Sequence, residues 1–361
     1  MQANTDFFLG ANTPKGFVSF FDELYNPYKT SGAYIIKGGP GTGKSTFMKK
    51  IADELEKRGI SVERVHCSSD PQSLDGVIAP DIGFSIADGT SPHILEPKFP
   101  GAAENILNLG EFWDSDTLRA SREDIIRLSL ENSLCHRRCV AYLSAAGSID
   151  TQTKALLQRL IRTEKLDSFV TRFTQRELKK TASREPGRRQ KRFLSAVTPD
   201  GTVLFEESLT RLAYRIIALE DRYSAVSPLI LQRIADIAVR KGYDVIICSC
   251  PLDPSGCEHI IIPEAGIALI TLKNEHPFTL IPDRTIHCDR FLREEVSEHR
   301  QSLRLNLKLK SLLVAEAVQM LKKARETHDL LEKEYRKAMD FYALGEYTTD
   351  FINKICAFKE I

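Results

Sequence analysis

No stretch of this sequence is apolar enough, for long enough, to cross a bilayer. The most hydrophobic run, residues 260–272 (IIIPEAGIALITL), falls short of the roughly 20 residues a span requires and is broken by Pro263 and Glu264. The opening, MQANTDFFLG, has no charged segment followed by an apolar one, which argues against a secretory signal. Charge of one sign is also missing. Lys and Arg number 50 against 49 Asp and Glu, a net +1, so no global field draws the chain to nucleic acid or to an anionic membrane. The eight cysteines lack the spacing of a disulfide framework, which points to a reducing, cytoplasmic setting. What remains is globular composition, 42% hydrophobic and 27% charged, in 361 residues, a length that suits two ordinary domains.

The pattern Cys-x-x-Asp-Pro occurs twice, as CSSDP at Cys67 and as CPLDP at Cys250. Sliding the chain over itself by that offset of 183 pairs residues 36–93 with 219–276 without a gap. Ile51, Ala52, Asp53, Gly59, Val62, Ile78, Pro80, Gly83 and His93 then face identical residues. A second block agrees at an offset of 185, FLGANTPKG from Phe8 against FLSAVTPDG from Phe193. A fixed-offset match is the mark of internal duplication. The first copy reads as a strand over 33–37, a helix over 45–59 with Phe47, Ile51 and Leu55 on one face, a strand over 61–67 and another over 83–88. Strand–helix–strand order implies parallel pairing through a right-handed crossover.

Only the first copy carries the sequence GGPGTGKST, residues 38–46. Gly38, Gly43, Lys44 and Ser45 fill G-x-x-x-x-G-K-[ST] at every required position, between an apolar strand and a helix. Glycines let the backbone aim several N–H groups at one point, and the helix N-terminus adds partial positive charge. Gly38, Gly39, Pro40, Gly41, Thr42 and Gly43 would cradle phosphates. Lys44 would reach the β- and γ-phosphates, Ser45 would bind Mg²⁺, and Thr46 would touch the α-phosphate.

On these residues the chain resembles the P-loop nucleoside triphosphatases. Its doubled layout is similar to a family of bacterial tandem P-loop ATPases, a likeness that supplies a fold and a nucleotide but no substrate. The expected architecture is α/β, two fused P-loop-type three-layer domains with parallel sheets, the second copy degenerate, plus helical appendages. No Asn-Lys-x-Asp guanine-reading motif is present, so ATP is favoured over GTP. The metal also needs a strand-end carboxylate. Asp88 closes FSIAD, whereas Asp81 follows Pro80, which could not donate in a central strand. Asp88 is therefore preferred, with Lys44 and Asp70 as further catalytic candidates. Asp70 lies in a loop at the C-terminal edge of the sheet and could orient water or deprotonate a hydroxyl; SSDP equally suits a turn cap. His93 is either a γ-phosphate sensor or a buried turn histidine.

In the second copy Asp221, Val226, Ser227 and Pro228 stand opposite Gly38, Gly43, Lys44 and Ser45, and Thr271 stands opposite Asp88. Glu220 and Asp221 would repel a triphosphate, and Arg222 alone would hold phosphate weakly. The scaffold is retained and the phosphate chemistry is lost. Division of the chain follows: 1–115 nucleotide-binding, 116–180 a helical extension, 181–192 a basic linker, 193–287 the degenerate copy, 288–361 a C-terminal helical region.

That last region carries Val314, Ala317, Leu321, Ala324, His328, Leu331, Tyr335, Ala338 and Tyr342 at alternating spacings of three and four, a stripe that suits packing within the chain. The basic segment could touch nucleic acid, although a solvated linker accounts for it as well, and CHRRC from Cys135 and CSC from Cys248 are poor zinc patterns. The sequence thus favours a Mg²⁺-dependent ATPase with output through the second domain, the C-terminal helices or a protein partner. A small-molecule kinase, with Asp70 as base and Arg137 and Arg138 in a lid, and an ATP-responsive binding module are the alternatives.

Overall fold

The structure, a computed structural model, describes residues 4–179, 185–273 and 278–357. The first half runs β1 (Thr5–Phe7), β2 (Gly10–Thr13), β3 (Gly16–Ser19), β4 (Gly32–Lys37), α1 (Lys44–Lys57), β5 (Glu63–His66), β6 (Leu74–Ala79), β7 (Phe84–Asp88), β8 (Glu104–Asn108), α2 (Ser115–Ala120), α3 (Arg122–Gln158) and α4 (Thr163–Glu177). The second half runs β9 (Arg189–Arg192), β10 (Ser195–Thr198), β11 (Gly201–Leu204), α5 (Glu207–Leu212), β12 (Arg215–Glu220), α6 (Ser227–Arg240), β13 (Val245–Cys250), β14 (Asp253–Ile262), β15 (Ile267–Leu272), β16 (Arg284–His287), α7 (Arg300–Ala338) and α8 (Phe341–Ala357).

Two six-stranded, mostly parallel sheets result, ordered β1-β5-β6-β7-β4-β8 and β9-β13-β14-β15-β12-β16. The orders are the same once the halves are matched, which is how the repeat in the sequence appears in space. The sheets are not all-parallel as expected. β6 runs antiparallel to β5 and β7, and β14 runs antiparallel to β13 and β15. The missed strand, β6, holds Asp75 and Gly76 beside its hydrophobics, so it shows no period-2 alternation; all six of its residues are buried nonetheless. Layering is also lopsided. One face of each sheet carries the long helix α1 or α6. The other is covered by the turn at Phe21–Glu23 in the first half and by the short α5 in the second.

The halves join at their edge strands. Phe8 and Phe193 exchange backbone hydrogen bonds of 2.9 Å in both directions, and both side chains are fully buried. Arg192 crosses the same joint to Glu63, with Nε 2.6 Å from Oε1. The segment expected to be a basic linker is therefore partly a strand. Residues 180–184 lie outside the described residues, but Arg189–Arg192 is β9, and Arg188, Arg189 and Arg192 pair with Asp244, Asp236 and Glu63.

The helices are not appendages; they are the remainder of the repeat, and the halves exchange them. α3 and α7 pack antiparallel along their length, burying Cys139, Leu143, Ala317, Met320 and Leu321 between them, so the heptad stripe is satisfied within the chain. α4 continues from the first half but buries Leu166, Phe169, Val170 and Phe173 in the core of the second. α8 continues from the second half and buries Leu344, Phe351 and Ile355 in the core of the first. The joints match. Arg162 N donates to Phe291 O (2.8 Å) as Asp340 N does to Phe112 O (2.7 Å). Arg293 N donates to Leu160 O (2.9 Å) as Asp114 N does to Ala338 O (2.8 Å). Among the described residues, no helix is long and apolar enough to cross a membrane.

Candidate functional site

β4 is buried almost throughout and ends at Lys37, where the glycine loop begins. Gly41 (φ +68°) and Gly43 (φ +88°) take the left-handed conformation that glycine adopts without strain, and α1 starts at Lys44. Thr42 is buried and its hydroxyl donates to Gly39 O at 2.8 Å, pinning the curl of the loop. Lys44 turns back over the loop. Its Nζ donates to Gly38 O (3.0 Å) and Gly39 O (2.7 Å) and lies 3.6 Å from Asp88 Oδ2.

Asp88 is the last residue of β7, the strand that pairs with β4 through Ile36 and Asp88. Its Oδ1 accepts from Thr90 N (2.8 Å) and Thr90 Oγ1 (2.6 Å), which leaves Oδ2 turned to Lys44. Asp81, the competing carboxylate, is exposed in the turn Pro80–Ile82, before β7 begins and so at the opposite end of that strand. Ser45 Oγ accepts from Leu74 N at 2.9 Å, and Thr46 is exposed on the first turn of α1. The structure thus brings Gly38, Gly39, Pro40, Gly41, Thr42, Gly43, Lys44, Ser45 and Asp88 together at one strand end.

Sequence reasoning missed Asp75. It follows Leu74 on β6, one step past the Gly76–Ala87 pair, so it comes beside Asp88. It is buried, with Oδ2 2.9 Å from His93 Nε2. Burial pushes the His93 imidazole down, but Asp75 and then Asp88 lift it further, so its net shift is upward. His93 packs against Phe17 and Phe21 in a turn, which fits the buried-histidine reading rather than a sensor. A signal was available: at the repeat offset Asp75 faces Glu258, acid against acid. Asp70 closes its own turn, accepting from Ser73 Oγ (2.5 Å) and Gln72 N (3.3 Å), as a turn cap does. Arg137 and Arg138 are exposed on α3.

The loop is roofed by helices from the other half. A Cβ added at Gly39 would strike the Tyr335 ring on α7; one at Gly41 would lie 2.8 Å from Glu332 O; one at Gly43 would lie 3.0 Å from a Leu344 methyl on α8. Close approach therefore calls for glycine at 39 and 41, and positive φ at 41 and 43. Glu332 is part-buried, with Oε1 3.6 Å from His328 Nε2 and Oε2 2.8 Å from Arg336. The His328 contact holds its carboxyl below the usual range, with Arg336 and Lys44 adding to the effect and burial opposing it.

No family model, no curated protein and no solved structure matches this chain. The site must be read from its own residues, and the second half supplies the comparison.

There the corresponding place is filled by the protein itself. Asp221, aligned with Gly38, is buried, and its Oδ2 accepts from Val226 N (2.8 Å) and Ser227 N (2.7 Å) at the start of α6. A side-chain carboxylate takes the two amides that correspond to those of Gly43 and Lys44. Asp221, expected to repel a triphosphate, instead commits its carboxylate to these two amides within the chain. Lys273, aligned with Thr90, pairs with the buried Glu258, and Lys154 from α3 reaches Asp253 at 3.0 Å and Asp150 at 2.9 Å. The cavity left among Lys154, Ser224, Pro228, Asp253 and Thr271 measures about 10 Å³, room for one water at most. His276, the repeat partner of His93, lies outside the described residues. Titration with ATP and Mg²⁺ is accordingly expected to saturate at one nucleotide per chain. Replacing Asp221 by Asn should not add a second; two equivalents in the wild type would show that the second half opens.

Proposed function

We propose that the chain binds ATP with Mg²⁺ at residues 38–46 of the first half and hydrolyses it, with nucleotide state passed to α7 and through it to the second half. The observation that carries this reading is Lys44, folded over a positive-φ glycine loop at a helix N-terminus and facing a strand-end carboxylate, Asp88. Amide donors and a lysine suit a polyphosphate, and neither needs a base or sugar to be specified.

The residues present also fit the metal. Ser45 Oγ and Asp88 Oδ2 are hard oxygen donors, and Mg²⁺ takes one or two such ligands beside the phosphate oxygens. When bound, the ion would neutralise charge on the terminal phosphates. Lys44 would move from the loop carbonyls to phosphate oxygens, and Asp88 would be freed to bind the ion. Output through α7 is supported by the contacts of Tyr335 and Glu332 with the loop glycines, which make that helix sensitive to any change in loop shape.

Calorimetric titration with MgATP, MgGTP and ATP in chelator tests the reading; absence of binding by any of them would end it. Asp88→Asn is expected to lower Mg²⁺-dependent turnover far more than nucleotide affinity, and Asp81→Asn to do little to either. The reverse order in a phosphate-release assay would move the metal ligand to Asp81.

A further inference from the structure

The joints between the halves align Leu160 with Ala338 and Arg162 with Asp340, an offset of 178. Carried back along continuous helix, that offset places Asp150 opposite His328 and Lys154 opposite Glu332. The same helix position therefore enters both sites. In the filled site it is a lysine, 3.0 Å from Asp253, the residue aligned with Asp70. In the glycine-loop site it is a glutamate.

We propose that Glu332, carried by the second half on α7, orients and deprotonates the water that attacks the terminal phosphate in the first half's site; this rests on the ATPase reading above. Three observations lead to it. Glu332 lies on the loop itself, its Cα, Cβ and carbonyl oxygen against Gly41, at the helix position from which Lys154 enters the other site. Asp75, Asp70 and Glu96 pair within the first half, with His93, Ser73 and Lys37, whereas the partners of Glu332, His328 and Arg336, lie on its own helix. Residues 89 and 90, directly after Asp88, are Gly and Thr, so the metal strand brings no second carboxylate of its own.

A further observation separates a working residue from a removable cap. The C-terminal end of α7 is tied down by Asp114 N to Ala338 O and by Asp340 N to Phe112 O, and α8 is buried in the first core immediately after it. Glu332 cannot leave with its helix unless that core opens. It is built into the site. His328 and Arg336 hold the carboxylate charged from its own helix, so a proton taken from water would rest on it only transiently before passing to solvent.

In the step, the water oxygen forms a bond to the terminal phosphorus. The bond from phosphorus to the bridging oxygen breaks, and its electron pair goes to the nucleoside diphosphate. The water proton passes to Glu332 and then to solvent.

The test uses the full chain and two readouts, MgATP affinity by calorimetry and phosphate release. Glu332→Gln keeps the shape and removes the base. Phosphate release is expected to fall by ~100-fold or more, with affinity and thermal midpoint unchanged, and Glu332→Asp should recover part of the rate. Unchanged release in the Gln variant would overturn the proposal. A rise in both affinity and release would overturn it too, and would make Glu332 a repulsive cap. Wild type that binds ATP without releasing phosphate would overturn this inference and leave the nucleotide site standing. Wild type that binds no ATP would remove the underlying reading.

Discussion

Replacing Lys44 by alanine is expected to abolish ATP binding while the fold survives. The ammonium now holds Gly38 O and Gly39 O and faces Asp88, and each of these contacts is with a group at the edge of the loop. Charge-assisted hydrogen bonds contribute about 1.5–3 kcal/mol each. Two such bonds to phosphate oxygens correspond to a loss of ~100-fold or more in affinity. Without nucleotide the cost is smaller, because the part-exposed loop carbonyls can turn to water. Calorimetry should return no heat in the mutant, and denaturant unfolding should be little changed. Equal affinity in wild type and mutant would show that phosphate is not held by this loop.

The second large effect comes from the far end of the chain. Phe351 on α8 is buried against Tyr34 (ring centroids 5.0 Å apart), Phe47 (5.2 Å) and Tyr347, inside the core of the first half. Phe351→Ala should therefore destabilise the first half by about 3–5 kcal/mol, the usual cost of an emptied aromatic site. An independent C-terminal region would give a different result, since its loss would leave the ATP site intact. Denaturant titration followed through bound nucleotide distinguishes these, and an unshifted midpoint would remove α8 from the core. Phe173→Ala on α4 should do the same to the second half, where Phe173 is buried among Leu166, Val170 and the sheet.

The glycine loop was legible because its chemistry is local: nine consecutive residues fix the turn, the helix start and the lysine. The repeat was legible for a similar reason, since turn residues such as Pro80 and Gly83 mark the same corners as Pro263 and Gly266. Where the sequence failed, the deciding contacts were distant. β6 is held by neighbours on both sides, so its residues need no amphipathic pattern. The stripe on α7 announces that the helix has a partner but carries no mark of which one. The buried faces of α4 and α8 likewise call for a core without saying whose. Asp221 looked like a lost glycine, and only its hydrogen bonds to Val226 N and Ser227 N reveal that it takes the amides at the start of α6. Glu332 sits in an ordinary charged helix in sequence and lies on the loop in space.

The helix exchange also fixes the order in which the molecule can be completed during synthesis. Chains emerge from the ribosome N-terminus first, and domains tend to fold as they emerge. The strands of the first sheet and α1 appear early, but Phe47, Ile51 and Leu55 keep a solvent-facing edge until α8 arrives, last of the described elements. The second half meets the opposite situation, because α4 is already made when its strands emerge. It can close over Phe169 and Phe173 while the first half still waits. The half translated first is finished last, and the glycine loop gains its roof of Tyr335 and Leu344 only after nearly all of the described chain has been made.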